Sequence, residues 1–187
     1  MQDEILFEVL KKYKLSKANI KEIKKIIFSN KKNLIINYKD LSIIKEDNKI
    51  TIKNDLYQKE EYEVLIDSLG TYKINDEVEL SFENLDNISR NKDLCISNVD
   101  IIWYNTSMFP FKVRTRKQGD KMLLSSGHKK VKDLLIDEHL NMIDKDKTLL
   151  LLDKDDNILC VIGVKKSQIL SKSTDNNLLI KINRRTK

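Results

Sequence analysis

The spacing of apolar side chains along the chain changes more than once. In residues 3–12, Ile5, Leu6, Val9 and Leu10 fall at i, i+1, i+4 and i+5, one face of a helix. Ser16 suits the N-cap of a second helix over 17–28, whose Ile20, Ile23, Ile26 and Ile27 form an apolar stripe. From residue 33 the period becomes two. The runs 33–38, 41–46 and 49–54 read as short strands punctuated by Asp40 and by Asp47-Asn48. The runs 61–67, 71–74 and 77–82 continue the pattern, with Gly70 and Asn75-Asp76 at the turns. A polar stretch then leads to an apolar run over 94–105, in which Trp103 is expected to be a core residue.

A different alternation begins at "FPFKVRTR". Pro110, the only proline, suits the start of a strand or a domain junction. Phe111, Val113 and Thr115 alternate with Lys112, Arg114 and Arg116, so one face of this strand is apolar and the other carries three cations. "KQGDK" reads as a turn and "LLSSGHKK" as a loop. The loop leads into a helix near 130–140 that turns Val131, Leu134, Leu135 and Leu140 inward. "TLLLLD" and "ILCVIG" form a hairpin around "KDDN", and "LLIKIN" is a last strand before a basic tail. The pattern predicts an α+β chain in three parts. They are a short helical lead-in (1–32), a small β-rich domain (33–108) and a small α+β domain (109–187).

Composition narrows the function classes. The 187 residues are 40% hydrophobic and 34% charged, with four Gly and one Pro, which excludes disordered and collagenous chains. No apolar run approaches the roughly 20 residues of a membrane span, and the N-terminus lacks the layout of a signal peptide. Cys95 and Cys160 each sit among apolar residues, as buried free thiols of a reducing compartment do. A cytoplasmic protein is expected. The charge is uneven. Residues 1–108 carry 17 Lys/Arg against 19 Asp/Glu, and residues 109–187 carry 18 against 10. The net +6 thus falls in the last part, a pointer to a polyanionic partner. The cations of the first part read as locally balanced, solvated faces.

No motif for a reaction is visible. There is no phosphate-cradling glycine loop, and Gly70, Gly119, Gly127 and Gly163 are too scattered to make one. His128 and His139 lie eleven residues apart without ligand support, so no metal site and no catalytic residue are assigned. The segment 112–132 carries eight Lys/Arg against Asp120 alone. Arg114 and Arg116, two of only five arginines, would project planar forks suited to phosphate. Lys117 extends the strand face, Lys129, Lys130 and Lys132 open the helix, and Lys165 and Lys166 would enlarge the patch. Aromatic residues are not interleaved with these cations, so a duplex backbone suits them better than unpaired bases.

The order of these elements resembles the C-terminal part of bacterial tRNA(Ile)-lysidine synthetases. That family's pattern of a strand with R-x-R-x-x-G-D, a loop, G-x-K-K-x-K-D-L, a helix and a hairpin is similar to "VRTRKQGD" (113–120), "GHKKVKDLLIDE" (127–138), "TLLLLD" (148–153) and "ILCVIGVKKS" (158–167). Residues 15–52 more loosely resemble the family's helical substrate-recognition region passing into a first C-terminal domain. The chain departs from the pattern in "HLNMIDKDKT", which lacks the family's Ile-Pro, and in "CVIG". It also has no counterpart of the S-G-G-x-D-S loop that serves ATP in the family.

The resemblance implies a C-terminal, non-catalytic fragment of an ATP-dependent ligase that attaches lysine to C2 of the wobble cytidine of tRNA(Ile). Its partners would be tRNA(Ile), at the acceptor stem, and the catalytic domain of the same chain, with ATP and Mg belonging to that domain. The sequence leaves a homodimer open. Two other readings stand beside it: a self-sufficient small enzyme, and a protein-interaction β-domain with a basic face.

Overall fold

Two helices and three strands make up the start of the chain. The computed structural model describes residues 2–31, 33–46, 49–84, 99–172 and 177–185. Helix α1 (Gln2–Lys11) and helix α2 (Lys17–Ile27) are followed by β1 (Asn33–Tyr38), β2 (Leu41–Glu46) and β3 (Lys49–Lys53), an antiparallel sheet in the order β1-β2-β3. Ser16 caps α2 by accepting the Asn19 N–H, as its position foretold. Leu6, Leu10, Ile20, Ile23 and Ile27 bury against Leu41 and Ile43 to make one core.

The chain divides into two compact units, Met1–Gln58 and Lys59–Lys187. The boundary expected after residue 108 instead runs through the middle of the second unit. There β4 (Glu63–Ile66) pairs with β8 (Phe111–Thr115). Strand β14 (Leu178–Arg184) lies between β6 (Val78–Asn84) and β7 (Val99–Tyr104). Strands from both sides of the expected boundary thus share each sheet, a non-local pairing that period and turn signals do not reveal.

The second unit is layered. With β5 (Gly70–Lys73), β6, β14 and β7 form a sheet in the order β5-β6-β14-β7. The other sheet runs β13-β12-β11-β8-β4, where β11 is Leu149–Leu152, β12 is Ile158–Val161 and β13 is Lys165–Lys166. Phe111, Val113, Leu149 and Leu151 from this sheet pack with Phe82, Ile102, Ile180 and Ile182 from the first. On its other face Leu150, Leu152, Ile158 and Val161 meet Val131, Leu134 and Leu135 of helix α3 (Val131–Asp137). Covered on both faces, β11 can be leucine throughout, which explains a run without alternation.

The expected loop 123–130 is a hairpin. Strand β9 (Lys121–Leu124) pairs with β10 (Gly127–Lys130) across Ser125-Ser126, and α3 starts only after it. Helix α3 ends in a Schellman motif, with Leu140 N–H bonded to Leu135 O and His139 N–H to Ile136 O. A further short helix, α4 (Met142–Lys147), has no counterpart in the sequence reading. Trp103 is 37% exposed and not in the core. It lies on the edge strand β7 and alternates with Ile102 and Tyr104, which face the core. Cys160 is a buried free thiol, whereas Cys95 and the polar stretch before it lie outside the described residues.

Candidate nucleic-acid interface

The alternation read on β8 is real, but its cationic face does not look onto solvent. Arg114 stands opposite Leu150 in the ladder and shares the face that α3 covers. Its residue exposure is 8%. The guanidinium grips Asp120 with both prongs, Nη1 to Oδ2 at 2.9 Å and Nη2 to Oδ1 at 2.8 Å, and also donates to Thr115 O at 3.1 Å. Asp120 in turn accepts the Lys117 N–H at 2.6 Å, and its carbonyl accepts the Val131 N–H at 2.9 Å. One ion pair thereby fixes the turn after β8 and the first residue of α3. Gly119, at φ 94, supplies the left-handed residue that lets Asp120 double back on Arg114.

Burial alone would raise the Asp120 pKa. The hydrogen bonds from Arg114 and Lys117, with their charges, outweigh it and hold the carboxyl below its ordinary value. The Arg114 hydrogen bond with Asp120 raises the guanidinium pKa in step.

Four more cations of the segment have partners distant in sequence. Arg116 donates Nε to Lys145 O at 2.8 Å and Nη2 to Asp146 at 2.9 Å, tying the end of β8 to α4. Lys112 pairs with Asp156 at 2.6 Å, Lys117 with Glu63 at 2.8 Å, and Lys129 with Asp137. The hydrogen bonds to Lys117 and Lys112 hold Glu63 and Asp156 below the usual carboxylate range. Acids brought from outside the segment therefore offset most of its local excess of eight cations over one acid.

What stays open is a smaller set. Lys121 and Lys130 face each other across the β9–β10 ladder, both exposed, and Lys132 is exposed one step into α3. No ion pair holds any of the three among the described residues. Two like charges directly opposite on a hairpin work against it, unless an anion lies over them. Among the described residues Lys165 is likewise exposed and without an ion pair, whereas Lys166 donates to Ile101 O at 2.8 Å. The Ser167 hydroxyl bonds Leu123 O at 2.9 Å, which brings the segment after β13 to β9.

Sequence reasoning singled out Lys130, Lys132 and Lys165 among the patch residues but passed over Lys121. Only the hairpin register, with Lys121 across from Lys130, brings it forward. His128 is exposed beside them, and His139 sits at the end of α3. Among the described residues no group of three or more His, Cys, Asp or Glu is placed to hold a metal ion. No helix among the described residues is long and apolar enough to cross a membrane.

Comparison with known proteins converges on one family. Residues 111–182 match the family model of the TilS substrate C-terminal domain. The tRNA(Ile)-lysidine synthase of Shouchella clausii is 36% identical over 91 residues, 46% of this chain and 19% of that protein. The Bacillus subtilis tRNA(Ile)-lysidine synthase is 41% identical over 61 residues, 32% of this chain and 13% of its own length. The Clostridioides difficile protein of the same name is 25% identical over 173 residues, covering 90% of this chain and 37% of that protein. The chain thus spans well under half the length of these relatives. A solved TilS C-terminal domain shares the fold, with a TM-score of 0.52 at 22% identity, over 67% of this chain and 99% of that one. Residues 111–182 of this chain are thus similar to the TilS substrate C-terminal domain, and the relatives that match the chain are tRNA(Ile)-lysidine synthases.

Proposed function

We propose that this chain docks tRNA(Ile) for a tRNA(Ile)-lysidine synthase, gripping the phosphate backbone of the acceptor stem. In this reading the parent enzyme ligates lysine to C2 of the wobble cytidine, while ATP, Mg and the catalytic residues belong to a domain outside these 187 residues. The chain by itself is inactive in ligation and works in the cytoplasm. One observation carries the reading. Inside the segment that matches the TilS substrate C-terminal domain, Lys121 and Lys130, opposite each other on two strands and without an ion pair among the described residues, stand beside Lys132 on a hairpin held by the Arg114–Asp120 pair.

The arginines have a different role from the one their spacing suggests. Arg114 and Arg116 position the hairpin and α3, and the lysines meet the phosphates as point charges. Of the residues assigned from sequence, Lys130, Lys132 and Lys165 are the contacts, and Lys121 joins them. Arg114, Arg116, Lys117, Lys129 and Lys166 hold the frame.

The test is binding of tRNA(Ile) across a salt series. The Lys121→Gln/Lys130→Gln/Lys132→Gln chain should bind more weakly, with a log–log salt slope shallower by about 0.9 per lost contact on the B-DNA scale. An unchanged slope would remove the hairpin from the interface. Wild-type chain that ignored tRNA at low salt would favour the protein-interaction reading.

A further inference from the structure

Cutting the charge at the structural boundary moves it. Residues 1–58 hold 13 Lys and no Arg against 8 Asp/Glu, a net of +5, while residues 59–187 hold 22 Lys/Arg against 21, a net of +1. The acidic stretch 59–108, with 4 against 11, folds into the same two sheets as the basic stretch 109–187 and offsets most of its charge. Nearly all of the excess therefore belongs to the smaller unit, whose lysines had read as solvated and balanced.

Within that unit the cations are concentrated. Residues 11–25 contain seven Lys (11, 12, 14, 17, 21, 24 and 25) and one acid, Glu22. Helix α2 buries Ile20, Ile23 and Ile27, and Lys17, Lys21 and Lys25 run at four-residue steps along its flank, all exposed. Successive members lie about 6 Å apart along the axis and roughly 40° apart around it, so they form one row. Lys12 and Lys14, at the end of α1 and in the turn, are exposed too. Two cations of the cluster are engaged. Lys11 sits 3.9 Å from Glu8, and Lys24 lies over the Phe7 ring at 5.1 Å. Lys12, Lys14, Lys17, Lys21 and Lys25 have no ion pair or side-chain hydrogen bond among the described residues.

Part of this arrangement opposes the helix that bears it. Like charges at i, i+4 repel, and Lys17 stands in the first turn of α2, where the helix dipole favours an acid, whereas Lys24 and Lys25 in the last turn suit that dipole. An external row of anions reverses both penalties. The row is made of lysines alone, point charges without the planar fork that reads base edges. Tyr13, the aromatic residue among them, packs against the core and is not set out for stacking. Lysines stepped at about 6 Å suit the successive phosphates of one strand of a nucleic-acid helix, met without regard to sequence.

We propose that the lysine row Lys17–Lys21–Lys25, with Lys12 and Lys14, is a second phosphate-backbone contact for double-helical RNA, carried by the first unit and separate from the Lys121–Lys130 hairpin. The proposal rests on the reading of the chain as an RNA-docking region. It makes the grip two-point, so that each surface raises the effective concentration of RNA at the other.

The experiment uses the full chain and a labelled tRNA(Ile) transcript, with affinity measured over a range of KCl concentrations. Lys17→Gln/Lys21→Gln/Lys25→Gln keeps good helix formers, so circular dichroism should be unchanged. Its salt slope should fall by about 2–3, at about 0.9 per contact. Lys17→Arg/Lys21→Arg/Lys25→Arg should bind like wild type. A glutamine variant that keeps wild-type affinity and slope, while the Lys121/Lys130/Lys132 variant loses them, overturns this inference and leaves the docking function standing. Wild-type chain that binds no tRNA overturns the docking function itself. Competition by poly-glutamate as strong as by an RNA duplex of equal charge would overturn the assignment to RNA.

Discussion

Two stretches of this chain look alike in sequence and come to opposite ends in the structure. Residues 112–132 carry eight cations against one acid, and residues 11–25 carry seven against one. In the first, five of the eight are latched to Asp120, Asp146, Glu63, Asp137 and Asp156. In the second, five of the seven reach solvent without a partner among the described residues. The difference lies in topology. Strand β8 sits inside a five-stranded sheet, where β4 and the turn after β11 bring acids to its cations. Helix α2 is a surface helix whose neighbours α1 and β2 offer mainly apolar contacts. A local charge ratio therefore measures the charge available to a ligand only where the fold brings no distant acids to it.

The largest effect that would break this comparison is on stability. Arg114→Ala leaves the largely enclosed Asp120 carboxylate without its ion-pair partner and with only the Lys117 N–H as donor, at a cost of about 3–5 kcal/mol in urea unfolding. Arg116→Ala, whose partners are less enclosed, should cost about 1–3 kcal/mol. If either arginine were mainly an RNA contact, its removal would leave the unfolding midpoint in place and weaken tRNA binding alone.

A pH series sharpens the same point. The folded Asp120 pKa lies below its unfolded value of about 3.9. The stability it contributes is thus complete above that value and is lost as the pH falls through the folded pKa. The stability gap between wild type and Asp120→Asn should be widest at neutral pH and narrow steadily below about pH 4. The smallest effect belongs to Gly119→Ala. Its φ of 94 strains any L side chain, but no atom lies within 4 Å of the added Cβ, so about 1 kcal/mol is expected from unfolding curves.

Local signals were largely legible. The strands at 33–38 and 41–46, the Ser16 cap and the 149–152/158–161 hairpin follow from period and turn chemistry alone. The "R-x-R-x-x-G-D" run lies inside the segment that matches the TilS substrate C-terminal domain, though its arginines face inward to Asp120 and Asp146. What stayed hidden was long-range. Nothing local says that Ile180 will pair with Phe82 or that Lys117 will find Glu63, 54 residues away. The unit boundary and the fate of each cation both hang on such pairings. The β9–β10 hairpin was missed because Ser125-Ser126 is a weak turn signal between strands of only four residues.

The central claim, that Arg114 frames the site and does not grip RNA, is tested most directly by Asp120→Asn. This change removes the carboxylate opposite Arg114 while keeping its size, and tRNA(Ile) binding and urea stability are then measured on the same protein at neutral pH. The account predicts a lower unfolding midpoint with no gain in affinity and no steeper salt dependence. Tighter binding, with a salt slope larger by about one contact and an unchanged midpoint, would show that the arginine was held back from RNA by Asp120, and would contradict it.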